Sequence, residues 1–340
     1  MPDIMIEEIL EEALKGRARV VRSERLEGDA SDREYARLTI EPPARLGPTL
    51  IAMIMAETPG TGEIPFVDVH RHMHANSLPV PEILHVDESR GIILLEDVGD
   101  TTLQTRLKSA GVDDRRALYR QAIELLARMQ VDCTRPTDPG CGAFGLAFDV
   151  DKLMWELDFF LEHAMGGLRG LRLDDADRDA ITREFERLCT TLAAEPRFFT
   201  HRDYHSRNLM VQGDRLRVLD FQDARMGPLH YDLASLLRDS YVELDNDFVD
   251  WGIATYLDSI EPLLGRRLEV ERFRRIFDMM SVQRNLKAVG TFAYQAVVRG
   301  IDRYLEYIPG TLSKVRLNLG KYAEFDPLRE VLSRYVAEIA

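Results

Sequence analysis

Two aspartates and one asparagine within residues 201–223 have the residue types and the spacing that phosphoryl transfer uses. The segment reads HRDYHSRNLMVQGDRLRVLDFQD. Asp203 can orient a hydroxyl group and take its proton, while Asn208 and Asp220 offer the hard oxygen ligands that Mg²⁺ prefers. The residues between Asn208 and Asp220 form two short apolar runs around a Gly-Asp pair, a pattern that predicts a β-hairpin. Such a hairpin would bring Asn208 and Asp220 together.

The order of these motifs resembles the catalytic and metal loops of the kinase superfamily. Asp220 is followed by Phe221, Gln222 and Asp223, so the DFG triplet of protein kinases is absent. HxDxxxxN followed closely by Asp-Phe is similar to the aminoglycoside phosphotransferase and choline kinase branch, whose members phosphorylate small molecules. An HxD triplet alone could arise by chance in a loop. Both motifs in the right order argue against chance.

The composition is that of an ordinary globular protein. The chain has 340 residues, of which 45% are hydrophobic and 30% are charged, which suits one large or two modest domains. No N-terminal apolar run has the length of a signal peptide, and no stretch approaches 18 uninterrupted apolar residues. The sequence therefore predicts a cytoplasmic enzyme without a membrane partner.

The net charge argues against a nucleic-acid-binding protein, and the cysteine spacing argues against a zinc site. The net charge of −14 argues against a nucleic-acid partner, which needs a positive field over the phosphates. Cys133, Cys141 and Cys189 lack the spacing of a zinc site and are odd in number, so we expect them to be reduced and structural. No obligate protein partner is inferred.

The first third of the chain reads as a small β-rich lobe. Residues 17–56 contain three strand-like runs, separated by a Gly-Asp-Ala-Ser turn and a Pro-rich loop. A helix is predicted from Phe66 to Asn76, followed by two strands joined by a turn at 88–91. Five strands and one helix match the small lobe of a kinase.

The remainder has helical periodicity. Predicted helices span 115–130, 151–163, 174–193, 228–241, 246–261 and 269–298. We therefore predict an α+β, two-lobed, protein-kinase-like fold. Its β lobe would span residues 1–97 and its helical lobe 98–340, and a hinge at Leu95–Gly99 would dock the adenine in the cleft between them.

The turn at residues 28–35 lies where a kinase covers the nucleotide phosphates. It has one glycine, so GxGxxG is not satisfied. Small residues would still let backbone amides approach phosphate oxygens, and Ser31 offers a hydroxyl donor. An unremarkable hairpin turn is the alternative.

The lysine that kinases carry on the third strand is missing. No lysine occurs between Lys15 and Lys108, and Met53 or a neighbour occupies its place. Arg33 is the first candidate for a substitute cation that binds the phosphates, and Arg37 is the second. A solvated strand arginine is the alternative, above all for Arg37.

His201 and Asp232 are predicted to be structural. His201 is better suited to hold the predicted catalytic loop, residues 201–208, by hydrogen bonds than to shuttle a proton. Asp232 begins an apolar helix, where it could accept backbone amides of that loop. An ordinary first-turn aspartate, favoured by the helix dipole, is equally sufficient.

Polar residues at two places are candidates for the acceptor pocket. Arg207, beside the metal-loop asparagine, could reach a phosphate or an anionic substrate, and pairing with a nearby carboxylate is the alternative. Gln283, Arg284 and Lys287 interrupt an otherwise apolar helix, with Gln283 and Lys287 one turn apart. They form either a pocket wall or a solvated helix face.

Nearly the whole chain resembles bacterial anomeric sugar kinases that act on N-acetylmuramate and N-acetylglucosamine. The resemblance is carried by GDASDREYARL, IPFVDV, GIILLEDVGD, HRDYHSRNLM, VLDFQDARMGPLHYDLASLLRD and SVQRNLKAVGTFA. It implies transfer from ATP, with Mg²⁺, to the anomeric C1 hydroxyl of an amino sugar during peptidoglycan recycling. It also implies the missing third-strand lysine and the arginines at 33 and 37.

Two rival functions remain open at this stage. The net negative charge would suit an aminoglycoside or choline phosphotransferase, which binds a cationic substrate. The carboxylates late in the sequence, however, form no convincing set for such a substrate. The missing lysine would suit a catalytically silent nucleotide-binding module. Retention of Asp203, Asn208 and Asp220 together argues against a dead enzyme.

Overall fold

A five-stranded antiparallel sheet forms the small lobe. The computed structural model describes residues 8–10, 12–26, 33–56, 64–135 and 140–340. The strands are β1 (Arg19–Leu26), β2 (Arg33–Ala44), β3 (Gly47–Met55), β4 (Ile83–Asp87) and β5 (Ile92–Glu96), and helix α1 spans Pro65–Ala75. They lie in the order β1-β2-β3-β5-β4, with every neighbouring pair antiparallel. The strands and the helix predicted for this region are confirmed.

The two faces of this sheet pack against different cores. Alternate residues of a strand point to opposite faces. On β3, Leu50 and Ala52 belong to a small core on one face, whereas Met53 belongs to the main core on the other, with Ile51 packed against it. Met53 is fully buried, so no polar group takes the lysine's place there.

Helix α1 connects this sheet to the catalytic region. The His70 ring bonds through Nε2 to the carbonyl oxygen of Pro81 at 2.8 Å. Phe66 stacks on Phe221, with 4.8 Å between ring centroids. Because Phe221 directly follows Asp220, this contact fixes α1 against the predicted metal loop.

The large lobe is mainly helical. Its helices are α2 (Leu103–Leu107), α3 (Val112–Asp132), α4 (Val150–Phe159), α5 (Asp175–Ala193), α6 (His230–Leu237), α7 (Asn246–Leu264), α8 (Val270–Val297), α9 (Ile308–Leu319) and α10 (Asp326–Ser333). Aspartate side chains cap three of them by accepting backbone N–H bonds: Asp149 from Lys152 before α4, Asp174 before α5 and Asp245 before α7. The main hydrophobic core lies among these helices.

Helix α8 is buried along most of its length and carries three of the predicted pocket residues, Gln283, Arg284 and Lys287. It crosses the π-helical segment Phe160–Leu168 that continues α4. A side chain at Gly290 would place Cβ 2.8 Å from the Cα of Phe160, so only glycine permits this approach. The close crossing sets the position of α8 in the lobe.

Two short antiparallel strand pairs hold the catalytic segment, residues 201–223. Strands β6 (Arg197–Thr200) and β9 (Arg225–Pro228) are paired, as are β7 (Leu209–Gln212) and β8 (Arg215–Val218). Gly213 turns the second pair at φ +60°. The amide of Leu219 donates to the carbonyl of Asn208 at 2.9 Å, which continues the ladder past the strands. This hairpin brings Asn208 beside Asp220, as the sequence predicts.

One helix is shorter than its periodicity predicts. The predicted helix at 228–241 ends at Leu237 in the structure. The residues that follow leave the helix, and the carboxylate of Asp239 accepts N–H bonds from Ser206 at 2.9 Å and Tyr241 at 2.8 Å. The early end thus lets Asp239 hold the catalytic loop.

The three cysteines have no part in cross-linking. All three thiols are buried, and none forms a disulfide within the part of the chain that is described. Burial raises the pKa of Cys189 to about 12, so this thiol stays protonated at neutral pH. Among the described helices, none combines the length and the apolar character needed to cross a membrane.

Candidate active site

A cleft of about 930 Å³ lies between the small sheet and the helical lobe. Apolar side chains line one part of it, among them Ile51 of β3, Leu95 of β5 and Val98 of the connector that follows β5 (residues 97–102). The catalytic segment and α8 contribute charged side chains, including Asp203, Asp220, Arg284 and Lys287. An apolar part suits a nucleobase, and a charged part suits phosphates.

His201 and Asp232 hold the catalytic loop. Both carboxylate oxygens of Asp232 accept backbone N–H bonds, from His201 at 2.7 Å and from Arg202 at 2.9 Å. Burial raises the pKa of Asp232 to about 7 despite these bonds. Arg202 has φ +84°, a strained value for a residue with a side chain. The buried carboxylate therefore stabilises a strained turn immediately before Asp203.

The imidazole of His201 links this loop to the metal loop. Nδ1 accepts the amide of Asp203 at 3.3 Å, so Nε2 carries the proton and donates to the carbonyl of Leu219 at 2.9 Å. Burial lowers the pKa of His201, which keeps the ring neutral at pH 7. These contacts favour the structural role predicted for His201 over a proton shuttle.

Asp203 lies in the cleft beside two cations of α8. Its Oδ1 is 3.1 Å from Lys287 Nζ and 4.0 Å from Arg284 Nη2. Burial acts to raise the pKa of Asp203, but the charges of Lys287, Arg202 and Arg284 outweigh burial and hold it well below its usual range. With 23% of its side chain exposed, Asp203 presents an ionised carboxylate to the cleft.

Asn208 and Asp220 lie together at the other side of the catalytic loop. Asn208 Nδ2 donates to the carbonyl of Asp203 at 2.9 Å and to Asp220 Oδ2 at 3.3 Å. Asp220 adopts φ +63° and has 42% of its side chain exposed, while Gln222 Nε2 donates to its Oδ1 at 2.8 Å. The predicted base and the predicted metal ligands thus share one hydrogen-bonded unit.

This pair fits Mg²⁺ by its donor set. Asn208 uses its Nδ2 as a donor, which leaves its amide oxygen for an ion, and Asp220 adds a carboxylate. Within the described residues there is no group of three His, Cys, Asp or Glu side chains that could enclose a metal. Mg²⁺ needs no such cage, because it commonly keeps waters and shares substrate phosphates with one or two protein ligands.

The nucleotide residues predicted from β2 have different surroundings. Arg33 lies with Nη1 4.0 Å from Asp220 Oδ1, so it reaches the metal loop from the small lobe. Arg37 Nε and Nη2 bond Asp97 at 2.7 and 3.1 Å, and Nη2 bonds Asp100 at 2.7 Å. Arg37 therefore ties β2 to the connector. Ser31 lies outside the described residues.

The four predicted acceptor-pocket residues separate into two groups. Arg207, Arg284 and Lys287 line the cleft. Gln283 is fully buried instead, and its Nε2 donates to Glu156 Oε2 at 3.0 Å. Within one turn of α8, Lys287 therefore faces the cleft, whereas the side-chain amide of Gln283 is buried in the core.

Sequence reasoning missed the buried carboxylate of Glu156. It accepts bonds from Gln283 and from the Tyr231 hydroxyl, the latter at 3.2 Å, and lies 3.8 Å from Arg202 Nε. It thereby braces Arg202, the residue before Asp203. Glu156 shares a buried helix face with Leu157 and other apolar residues, and a lone carboxylate on such a face is the signal that could have revealed it.

Residues 23–269 match the phosphotransferase enzyme family. The N-acetylmuramate/N-acetylglucosamine kinase of Neisseria meningitidis serogroup B is 34% identical over 261 residues, covering 76% of this chain and 76% of that protein. The protein of the same name from Pseudomonas aeruginosa is 30% identical over 311 residues, covering 90% of this chain and 86% of that protein. The likeness thus spans the small lobe, the catalytic segment and α8.

A solved structure has the same architecture. A choline/ethanolamine kinase family protein from Mesorhizobium loti matches with a TM-score of 0.60 at 18% identity, covering 100% of this chain and 99% of that chain. At this identity the likeness concerns the fold alone. It confirms the α+β, two-lobed, protein-kinase-like fold predicted from the sequence.

Proposed function

This chain belongs to the phosphotransferase enzyme family, and we propose that it transfers the γ-phosphoryl group of ATP to the anomeric C1 hydroxyl of N-acetylmuramate, N-acetylglucosamine or both. The proposal is carried by one observation, the hydrogen-bonded unit of Asp203, Asn208 and Asp220 in the cleft. The named relatives support the choice of sugar. The sugar 1-phosphate would serve peptidoglycan recycling, and the use of ATP favours the cytoplasm.

In this proposal the two lobes divide as the sequence predicts, at residues 95–99, with 1–97 binding the nucleotide and 98–340 supplying the chemistry. Ile51, Leu95 and Val98 would surround the adenine. Arg33 would bind the phosphates in place of the missing lysine, with Ser31 as a further donor. Arg37 is second to Arg33 because two carboxylates already hold it.

Asp203 would orient the sugar and accept its proton. Its carboxylate is ionised, and its low pKa makes it a weak base, which suits proton transfer late in the reaction. A hemiacetal hydroxyl is more acidic than an ordinary alcohol, so a single carboxylate is an adequate acceptor. Lys287 and Arg284 would offset the negative charge that gathers around the transferred group.

Asn208 and Asp220 would hold Mg²⁺, which when bound neutralises phosphate charge and aligns the transferred group. The protein prepares this position through the Asn208 amide, which bonds both the base loop and Asp220. His201 and Asp232 fix the backbone on which the unit depends. The chain's own contribution is therefore positioning and charge compensation.

The proposal is tested by ATP consumption with Mg²⁺ and a panel of acceptors. We expect turnover with N-acetylmuramate, N-acetylglucosamine or both, and none above the basal rate with kanamycin or choline. Turnover only with kanamycin or choline would keep the chemistry and overturn the sugar. No turnover with any acceptor would favour a silent nucleotide-binding module.

Arg33→Gln is expected to raise the KM for ATP by about 10-fold or more, because a charge-assisted contact to phosphate contributes roughly 1.5–3 kcal/mol. Arg25→Gln is the matched control, since Arg25 is an exposed neighbour on β1 that pairs with Glu34 at 2.8 Å. Steady-state kinetics with ATP as the varied substrate measure both. Equal KM values in the two variants would remove Arg33 from the phosphate site.

Lys287→Met is expected to lower kcat by about 10²-fold, as for loss of one donor at a developing charge. It should also raise the pKa of Asp203, because a cation that lowers this pKa is gone. The acid limb of the kcat profile would then move to higher pH. Lys108→Met, on an exposed side chain outside the cleft, serves as control. An unmoved acid limb would contradict the coupling of Lys287 to Asp203.

A further inference from the structure

We infer that Arg207 binds the carboxylate of the lactyl group of N-acetylmuramate and thereby sets the preference between the two sugars. The inference rests on the proposed function and concerns the same cleft. N-acetylmuramate differs from N-acetylglucosamine by a lactyl ether on O3, which ends in a carboxylate. A cation that contacts this group and not the reacting oxygen would distinguish the acidic sugar from the neutral one.

Two other cleft cations are placed for the shared chemistry. Lys287 and Arg284 lie 3.1 and 4.0 Å from Oδ1 of Asp203, where the C1 hydroxyl of either sugar would bind. The lactyl ether is attached two ring carbons away from C1. When C1 lies at Asp203, the carboxylate must therefore lie farther along the cleft.

Arg202, which directly precedes Asp203, is already paired with carboxylates of the protein. Its Nη1 lies 3.1 Å from Asp223 Oδ2, and its Nε lies 3.8 Å from the buried carboxylate of Glu156. These contacts brace the strained turn of the loop. Arg202 therefore serves both sugars alike and cannot select between them.

Arg207 has the geometry of a carboxylate receptor. It lines the cleft, and its guanidinium carbon lies 4.7 Å from the ring centroid of Tyr241 and 5.7 Å from that of Tyr304. Contact with two aromatic rings limits the rotamers of an arginine. A guanidinium held in this way presents a planar edge of N–H donors, which matches a carboxylate in two parallel hydrogen bonds.

Aromatic side chains beside Arg207 form a wall that suits a pyranose. Phe292 and Tyr304 are stacked with 5.8 Å between centroids and an interplanar angle of 2°, and Tyr241 lies 5.8 Å from Phe292. All three line the cleft. Flat apolar rings next to a few polar groups are typical of small-molecule sites. The sugar ring would rest on this wall with its acidic substituent at Arg207.

Arg207→Gln tests the inference through the ratio of kcat/KM for N-acetylmuramate to that for N-acetylglucosamine. Loss of a charged hydrogen-bonded contact should lower this ratio by about 10- to 100-fold. Arg303→Gln is the control, because Arg303 also lies over Tyr304, at 5.2 Å, but does not line the cleft. It should leave the ratio unchanged. An unchanged ratio in Arg207→Gln would overturn the inference.

A change in the substrate supplies a test that needs no variant. The methyl ester of N-acetylmuramate removes the charge from the lactyl group, so the native enzyme should use it 10- to 100-fold less well than the acid, by the same estimate of about one charged contact. Arg207→Gln should treat acid and ester alike. Equal use of acid and ester by the native enzyme would contradict the inference. A native enzyme inactive on both sugars would instead overturn the proposed function.

Discussion

Replacement of Asp203 by Asn will lower kcat by about 10²- to 10⁴-fold, the range expected when a positioned general base is lost. The amide keeps the size of the side chain but cannot accept the hydroxyl proton. Asp203 is 3.1 Å from Lys287, whereas Arg33 lies near Asp220, so the dissociation constant for ATP should change little. Kinetics and a fluorescent nucleotide-binding assay measure the two effects separately.

Asp214→Asn is the matched control for this variant. Asp214 is an exposed aspartate in the turn of the β7–β8 hairpin, so the same substitution there should leave kcat unchanged. Activity of Asp203→Asn close to that of the control would show that another group accepts the proton. A parallel loss of ATP affinity would show that Asp203 acts through nucleotide binding instead.

Replacement of Asp220 by Asn will lower kcat by about 10³-fold or more, because metal stabilisation of phosphoryl charge amounts to several kcal/mol. Asparagine tolerates the left-handed conformation at φ +63°, so the variant should fold. The exchange removes a negative charge that lies 4.0 Å from Arg33 Nη1. The variant therefore loses negative charge at the proposed metal site, while the backbone conformation at residue 220 is retained.

The dependence of activity on Mg²⁺ concentration separates a metal ligand from a structural residue. For Asp220→Asn, half-maximal activity should require a higher Mg²⁺ concentration than the native enzyme needs, with an unchanged melting temperature. A lower melting temperature with an unchanged Mg²⁺ requirement would assign Asp220 to the fold. Binding of Mg²⁺ with ATP, measured by calorimetry, should weaken in parallel with activity.

Local features of the site could be read from the sequence. The β7–β8 hairpin depends on Gly213 and on two apolar runs a few residues long, and both signals are local. Its consequence, the contact of Asn208 with Asp220, follows from the pairing register alone. The same kind of local signal, strand-like runs bounded by turn residues, predicted the five strands of the small lobe.

Contacts between distant segments could not be read in this way. Lys287 and Asp203 are 84 residues apart, and their 3.1 Å contact depends on where α8 crosses the lobe. That crossing is set by Gly290 against Phe160, a packing detail without a local signature. Helical periodicity could place Gln283 and Lys287 on one helix, but it could not say which of them faces the cleft.

The choice between Arg33 and Arg37 shows the same limit. Both were candidate phosphate ligands, because the third-strand lysine is missing and these arginines lie near the turn and on the second strand. The structure places the carboxylates of Asp97 and Asp100 against Arg37, and Asp220 near Arg33. Which strand arginine meets which carboxylate is decided by the path of the connector after β5, which no periodicity encodes.

The attachment site of the phosphate in the product tests the central claim most directly. Purified enzyme, ATP and Mg²⁺ would be incubated with N-acetylmuramate or N-acetylglucosamine, and the product examined by proton-coupled phosphorus NMR. A phosphorus resonance split by the anomeric proton H1 is the predicted result, since it identifies a sugar 1-phosphate. A resonance coupled to the C6 protons, or to any other ring proton, would contradict transfer to the anomeric hydroxyl.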